Sequence, residues 1–361
     1  MPEFQAPKGM RDVLAPESAR WESLVATFAE HAHRASYGLV LTPLIEHVEV
    51  FQRVGDSTDI VRKEMYDFDD KGGRHVAVRP EITAGMVRAF IEHRPTTPWK
   101  AWTVGANFRY EQPQSGRYRQ HHQLDAEIVG TSDPDADVEV VALLDGFHRA
   151  LGLQRRTLQL NTLGDGESRP AYHDALRAYF TAHAADLSAQ SRETLALNPL
   201  RVLDSKRAHD ANVIAGAPAT VDYLSPGAAG HFERVQAGLR ALGIAYEIAP
   251  RLVRGLDYYT HTVFEFAAEA LDGSQNAIGG GGRYDGLVEQ LGGPPTPAVG
   301  FGAGIERILL ACDAEGVLPA DDERVDAFVV VTTEGTDALV ITAELRRAGV
   351  SCDADYAGRS L

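Results

Sequence analysis

The residues best suited to chemistry lie within 99–130. There two stretches, TVGANFRYE and HHQLDAEIVG, alternate with period two about the turn-rich QPQSGRYR, the pattern of an antiparallel hairpin with a long loop. Strand parity sets Asn107, Arg109 and Glu111 on one side, and Gln123, Asp125 and Glu127 together on the return strand, with Leu124, Ala126 and Ile128 on the opposite face. An arginine on a rigid strand presents a planar fork to phosphate or carboxylate and stays charged when water is excluded, so Arg109 suits nucleotide activation. Glu127 and Gln123 suit a cationic or hydrogen-bond-donating substrate better than they suit a metal cage. The same pattern also fits an exposed ladder of ion pairs, and Arg109, Arg117 and Arg119 with Tyr110 and Tyr118 between them also fit a solvated hairpin.

Three further segments could contribute. In LVRGLDYYTHTVFEF, Arg254 precedes Gly255, which lets a ligand or a second backbone come close, and Tyr258 and Tyr259 offer aromatic walls with hydroxyl handles. A packed strand with one surface arginine would read the same way. Gly302-Ala303-Gly304-Ile305-Glu306-Arg307 is a strand-to-helix turn whose glycines permit approach of a flat ring, with Arg307 in the first helical turn able to reach over it or to contact a phosphate. The third glycine of a dinucleotide fingerprint is missing there. The run Gly279 to Gly282, ahead of Arg283-Tyr284-Asp285, is by itself a loop signal. His31, His33, His121 and His122 lack the spacing of a zinc helix, no G-x-S-x-G occurs, and these histidines read as surface or pocket residues.

Positioning these groups falls to elements with clear periodicity. Within 16–35, Trp21, Leu24, Val25, Phe28 and Ala32 recur at helical steps. Residues 39–41 make a short strand that ends, or lies at an edge, near Pro43, and residues 84–91 read as a helix after the alternating HVAVR. Residues 165–248 are rich in Ala, His and charge and read as a mainly helical insertion. Beyond them come strand-like segments, then an apolar strand at 326–331 and a helix at 337–348 capped by Gly349. That last pair reads as the start of a βαβ unit.

A chain of 361 residues is long enough for two or three modules and needs no disulfide staple. Two cysteines, Cys312 and Cys352, fit a reducing compartment, and no run of apolar residues is long enough for a signal peptide or a membrane span, so a soluble cytoplasmic protein is expected. The net charge of -16 disfavours a nonspecific nucleic-acid binder and confines any such contact to local basic patches.

In this order the pieces resemble the three signature motifs of class II aminoacyl-tRNA synthetases, and the histidyl-tRNA synthetase family most of all. The resemblance runs almost end to end. PKGMRD looks like the family's opening, the stretch ending at Pro43 is similar to motif 1, FRYEQPQSGRYRQHHQLDAE to motif 2 and GFGAGIER to motif 3. LVRGLDYYTHTVFE and GGGRYDGL are similar to the two segments that set this family apart, and NPLRVLDSK at 198–206 to the insertion of bacterial members.

The resemblance implies an α+β fold: a class II antiparallel sheet flanked by helices, with catalytic parts at 1–164 and 249–325, the insertion at 165–248, and an incomplete anticodon-binding α/β domain at 326–361. It implies activation of L-histidine by ATP, with Mg²⁺, to histidyl-adenylate, and transfer to the 3′ end of tRNA(His) by a homodimer. With the last domain cut short, histidine activation is expected to survive and tRNA charging to suffer. By motif, Glu81, Thr83, Gln123 and Glu127 would hold the α-amino group and imidazole. Arg109 would contact the α-phosphate and the substrate carboxylate. Tyr258, Tyr259 and Tyr284 would wall the imidazole pocket, Arg254 would be the catalytic arginine, and Glu111, Arg117 and Arg307 would bind ATP. A pocket that hydrogen-bonds both imidazole nitrogens discriminates strongly enough that editing is unnecessary.

Two departures fall in or beside the motif 2 loop: Gln112 replaces the usual arginine, and His121 stands where phenylalanine is usual. The rival reading is a non-catalytic histidine-sensing regulatory subunit of ATP phosphoribosyltransferase. Such relatives tend to lose the motif 2 and motif 3 arginines, whereas Arg109, Arg254 and Arg307 are all present.

Overall fold

A computed structural model describes the chain except residues 1–3, 56–59, 206, 254–257, 272–275, 319–324, 331–335 and 357–361. The chain divides into two compact units, Met1–Asp12 with Trp21–Leu318, and Val13–Arg20 with Pro319–Leu361.

In chain order the elements up to the hairpin are α1 (Glu17–Arg34), β1 (Gly38–Leu39), β2 (Ile45–His47), α2 (Val48–Gly55), β3 (Tyr66–Asp69), β4 (His75–Val78), α3 (Thr83–His93), β5 (Trp99–Phe108) and β6 (Gln120–Val129). After it come α4 (Pro134–Ala150), β7 (Arg156–Thr162), α5 (Ser168–Ala182), α6 (Ala189–Leu197), α7 (Ala211–Ala215), α8 (Pro226–Ala241), β8 (Glu247–Ile248), β9 (Thr260–Ala268), β10 (Ala277–Arg283), α9 (Leu287–Gln290), β11 (Ala298–Gly304) and α10 (Ile305–Glu315). The main sheet runs β1-β5-β6-β11-β10-β9-β7-β8. It is antiparallel except where β1 joins β5 and β8 joins β7 at its two ends. A smaller antiparallel sheet, β2-β4-β3, stands beside α3 in sequence and carries the chain into residues 79–83.

The expected hairpin is present, with Trp99 opposite Val129 and Phe108 opposite Gln120. Parity holds along β6: Leu124, Ala126 and Ile128 enter the large core with Phe28 of α1, Phe147 of α4 and Ile308 of α10. The helical periodicity of α1 likewise buries Leu24, Phe28 and Ala32. Helices α5 to α7 share a core of their own around Tyr172, Leu176, Phe180 and Val213, whereas α8 sends Phe232, Val235 and Leu239 into the large core.

The glycine run is where expectation fails. Residues 279–282 form no loop; they lie inside β10, between β9 and β11 in the middle of the sheet. A Cβ on Gly281 would fall 2.0 Å from the carbonyl oxygen of Gly300, and one on Gly282 2.3 Å from that of Thr262. Missing side chains thus let three strands approach more closely than ordinary residues allow. Gly281→Ala is expected to destabilise the fold by roughly 3 kcal/mol, as overpacking does, read as a lower denaturant midpoint at unchanged slope.

The second unit contains β12 (Ala327–Val329), α11 (Asp337–Arg347) and β13 (Cys352–Ala354), with the two strands parallel. Gly349 follows the helix at φ +82°, as expected of its cap. Val331, the end of the expected strand, lies outside the described residues. The return strand β13 was not anticipated, because three residues are too few to display an alternation. No helix among the described residues is long and apolar enough to cross a membrane.

Candidate active site

A cleft of about 1170 Å³ opens over the middle of the sheet. Its floor comes from β6, β10 and β11, one wall from the start of α3 and residues 109–118, and another from residues of α6 and the turns after it. Register explains why the floor is polar: on β11, Gly304, Gly302 and Gly300 sit opposite Gln123, Asp125 and Glu127 of β6. A Cβ on Gly300 would overlap the Glu127 carboxylate, and one on Gly302 would lie 2.8 Å from Gln123 Nε2 and 2.9 Å from Asp125 Oδ1. Of the two glycines expected to admit a flat ring, Gly302 therefore makes room for neighbouring side chains. Both line the cleft, and Gly304 meets nothing within 4 Å.

The exposed-ladder alternative is excluded by burial: Glu127 is 1% exposed, Asp125 2% and Glu81 6%. Thr83 Oγ1 donates to Glu127 Oε1 at 2.8 Å, and the Tyr284 hydroxyl donates to Oε2. Burial, only partly offset by those two hydrogen bonds and reinforced by Glu81, pushes the Glu127 carboxyl up to about 8. Glu81 is also raised by burial, although it accepts the Ala84 amide at 2.9 Å across the first turn of α3. Gln123 Oε1 accepts from Asn107. Tyr258 is buried between Tyr259 and Tyr284, with ring centroids 4.7 and 5.5 Å away. Gln123, Glu81, Thr83, Tyr258 and Tyr259 thus line the cleft, and Glu127 and Tyr284 are buried against them.

At the other end the arginines gather. Arg109 does not stand on the strand as parity had it; β5 stops at Phe108, and Arg109 begins the loop. It is nonetheless held, because its amide donates to Arg119 O at 2.8 Å and its Nε to Pro80 O at 2.8 Å. Glu111 accepts from Arg117 Nε. Burial would raise Glu111, but Arg117 and Arg109 hold it below the usual carboxylate range. Arg307 donates from Nε to Gly116 O at 3.1 Å and from Nη1 to Ala277 O at 3.3 Å, tying α10 to the loop and to β10. Arg254 lies outside the described residues.

Sequence reasoning missed two participants. Glu64 lines the cleft, and burial followed by the neighbouring Glu111 pushes its carboxyl up to about 7. No motif surrounds it. Glu306 accepts the His122 amide at 3.0 Å and bonds His122 Nδ1 at 2.9 Å, joining β6 to α10. The departure His121 lines the cleft, where burial and then Arg109 and Arg307 hold its ring well below its usual pKa. No group of three or more metal-ligating side chains occurs among the described residues.

One end therefore presents buried carboxyl and amide oxygens suited to hydrogen-bond donors and cations, and the other presents guanidinium groups suited to an anion. A statistical model of the family described as histidyl-tRNA synthetase matches residues 9–308. Histidine--tRNA ligase of Thermosynechococcus vestitus is 48% identical over 363 residues, covering 98% of this chain and 84% of that protein. The crystal structure of apo S. aureus histidyl-tRNA synthetase superposes with a TM-score of 0.81 at 34% identity, covering 99% of this chain and 86% of the other. An ATP phosphoribosyltransferase regulatory subunit/histidyl-tRNA synthetase from Bacillus halodurans superposes at 0.73 with 21% identity, covering 100% and 95%, a likeness of fold alone.

Proposed function

Since the chain belongs to the histidyl-tRNA synthetase family and ligates histidine to tRNA, we propose that its cleft joins L-histidine to ATP as histidyl-adenylate, releases diphosphate, and passes the histidyl group to the 3′-terminal ribose of tRNA with release of AMP. Glu127 carries this reading: a carboxyl buried beneath the cleft, held by Thr83 and Tyr284, which would accept an imidazole N–H. Glu81, Thr83 and Gln123 surround the α-amino group, and Tyr258 and Tyr259 close over the ring. Arg109, fixed through Nε, turns its remaining nitrogens to the carboxylate and the α-phosphate. When the carboxylate attacks phosphorus, negative charge grows on the non-bridging oxygens, and a guanidinium already in place meets it without reorganising. Arg254 is the second such group on sequence grounds. Glu111, Arg117 and Arg307 hold the nucleotide.

Mg²⁺ typically takes one or two protein carboxylates together with phosphate oxygens. Glu265 of β9 and Glu111, both lining the cleft, fit that donor set. Bound there, the ion would neutralise charge on the departing diphosphate. The enzyme works in the cytoplasm, as its buried free cysteines Cys312 and Cys352 favour. It acts as a homodimer through the exposed apolar residues Leu39, Leu41, Leu44 and Ile45.

The raised Glu127 carboxyl makes a pH prediction. Below about 8 it carries a proton, which must leave when an imidazole N–H takes its place, so binding releases protons and strengthens with pH. Deprotonation of free histidine, whose ring titrates near 6.5, acts in the same direction. The dissociation constant for histidine should fall by about tenfold or more from pH 6 to pH 8, measured calorimetrically in buffers of differing ionisation heat. An affinity independent of pH, or one that weakens, would remove Glu127 from the imidazole site.

A further inference from the structure

Asp125 sits at the centre of the cleft floor, between Gln123 and Glu127 on β6, with Thr103 of β5 and Gly302 of β11 as its register partners. It is 2% exposed. Its Oδ1 has no hydrogen-bond partner among the described residues, nor has the buried Thr103 Oγ1 opposite. A carboxylate whose role was only to hold strands together would be paired, because an unmet buried acceptor is costly. Gly302 leaves the space that this carboxylate occupies, since a Cβ there would press on Oδ1.

The charged groups facing Asp125 are Glu127, Glu81, Arg79 and Arg109. Each arginine is anchored elsewhere: Arg79 donates from Nε to Ala106 O at 2.9 Å and from Nη1 to Thr42 Oγ1 at 3.1 Å, and Arg109 from Nε to Pro80 O. Glu127 carries a proton below about 8, so near neutral pH Glu81 and Asp125 are the carboxylates that face the two guanidinium groups, and a substrate carboxylate that takes up Arg109 leaves one of them without a counter-charge. Burial first, then Glu127 and Glu81, push the Asp125 carboxyl well above its usual range, a cost that an arriving cation offsets. L-Histidine near neutral pH offers one such cation, its α-ammonium, because its carboxylate faces Arg109 and its ring is largely neutral.

We propose that Asp125 is a specificity-determining residue, the counter-charge that, with Glu81, receives the α-ammonium group of the amino-acid substrate. The assignment rests on the histidine-activating reading of the cleft. It predicts that the residue distinguishes ligands by their amine and not by their ring or carboxylate.

The test is calorimetric binding of three ligands to the wild-type chain and to Asp125→Asn: L-histidine, histidinol, which keeps the amine and lacks the carboxylate, and 3-(imidazol-4-yl)propionate, which lacks the amine. Asp125→Ser serves in the same role should the asparagine variant unfold at a lower temperature. Histidine and histidinol should each bind about 30-fold more weakly to the variant, and the propionate no more weakly than to wild type. Equal weakening of all three, or of none, would overturn the assignment while leaving the histidine site intact. A wild-type chain that binds no histidine would overturn both the assignment and the reading beneath it.

Discussion

Arg109→Ala is expected to slow histidine-dependent exchange of pyrophosphate into ATP by about 10³-fold, the loss seen when a preorganised donor to developing charge is removed. Most of the loss should fall on kcat, because the charge that Arg109 meets grows only as the carboxylate attacks phosphorus. Arg109 also supports the backbone through Pro80 O at 2.8 Å, so a structural contribution must be separated from a catalytic one. Arg109→Lys separates them: lysine restores a positive charge but not a planar fork able to hold Pro80 and two ligand oxygens together. The lysine variant should melt near the wild-type temperature and still exchange at least tenfold more slowly. Recovery of full exchange by lysine would reduce the role to charge alone, and a loss matched by lowered thermal stability would make it structural.

Glu127→Gln should lower kcat/KM for histidine by about 10³-fold, because it takes one partner from a buried, charge-assisted hydrogen bond. Glutamine keeps the volume against which Gly300 is shaped, and its oxygen can accept from one of the Thr83 and Tyr284 hydroxyls while its NH2 donates to the oxygen of the other, so the fold should survive. Its amide cannot ionise, and the strengthening of histidine binding between pH 6 and 8 should flatten to that of the ligand's own titration. A variant with the wild-type KM and an unchanged pH profile would move the imidazole away from Glu127.

Much of this site was legible before any coordinates, and the reason is physical. A strand with one face in the core must alternate, so Leu124, Ala126 and Ile128 marked the core face, and Gln123, Asp125 and Glu127 followed onto the other. What alternation cannot say is whether the polar face is exposed or buried. That was settled by β11, whose glycines lie opposite those three residues, a pairing between segments about 180 residues apart that no local pattern records. The run 279–282 misled for a related reason: glycine has no side chain to carry a period, so a central strand built for close approach looks like a loop. Arg109 was placed on a strand because alternation continues past Phe108, although the pairing with β6 does not. Glu64 was invisible, since its importance comes from Glu111 and the burial it acquires on folding.

Amino-acid-dependent exchange of pyrophosphate into ATP tests the account most directly, because it requires the carboxylate pocket and the arginine end to act on one molecule. Incubated with each of the twenty common amino acids in turn, the chain should catalyse exchange with histidine and leave the others near background. Well-folded protein that bound histidine and catalysed no exchange would contradict the account, and would describe a sensor of histidine in place of an enzyme that activates it.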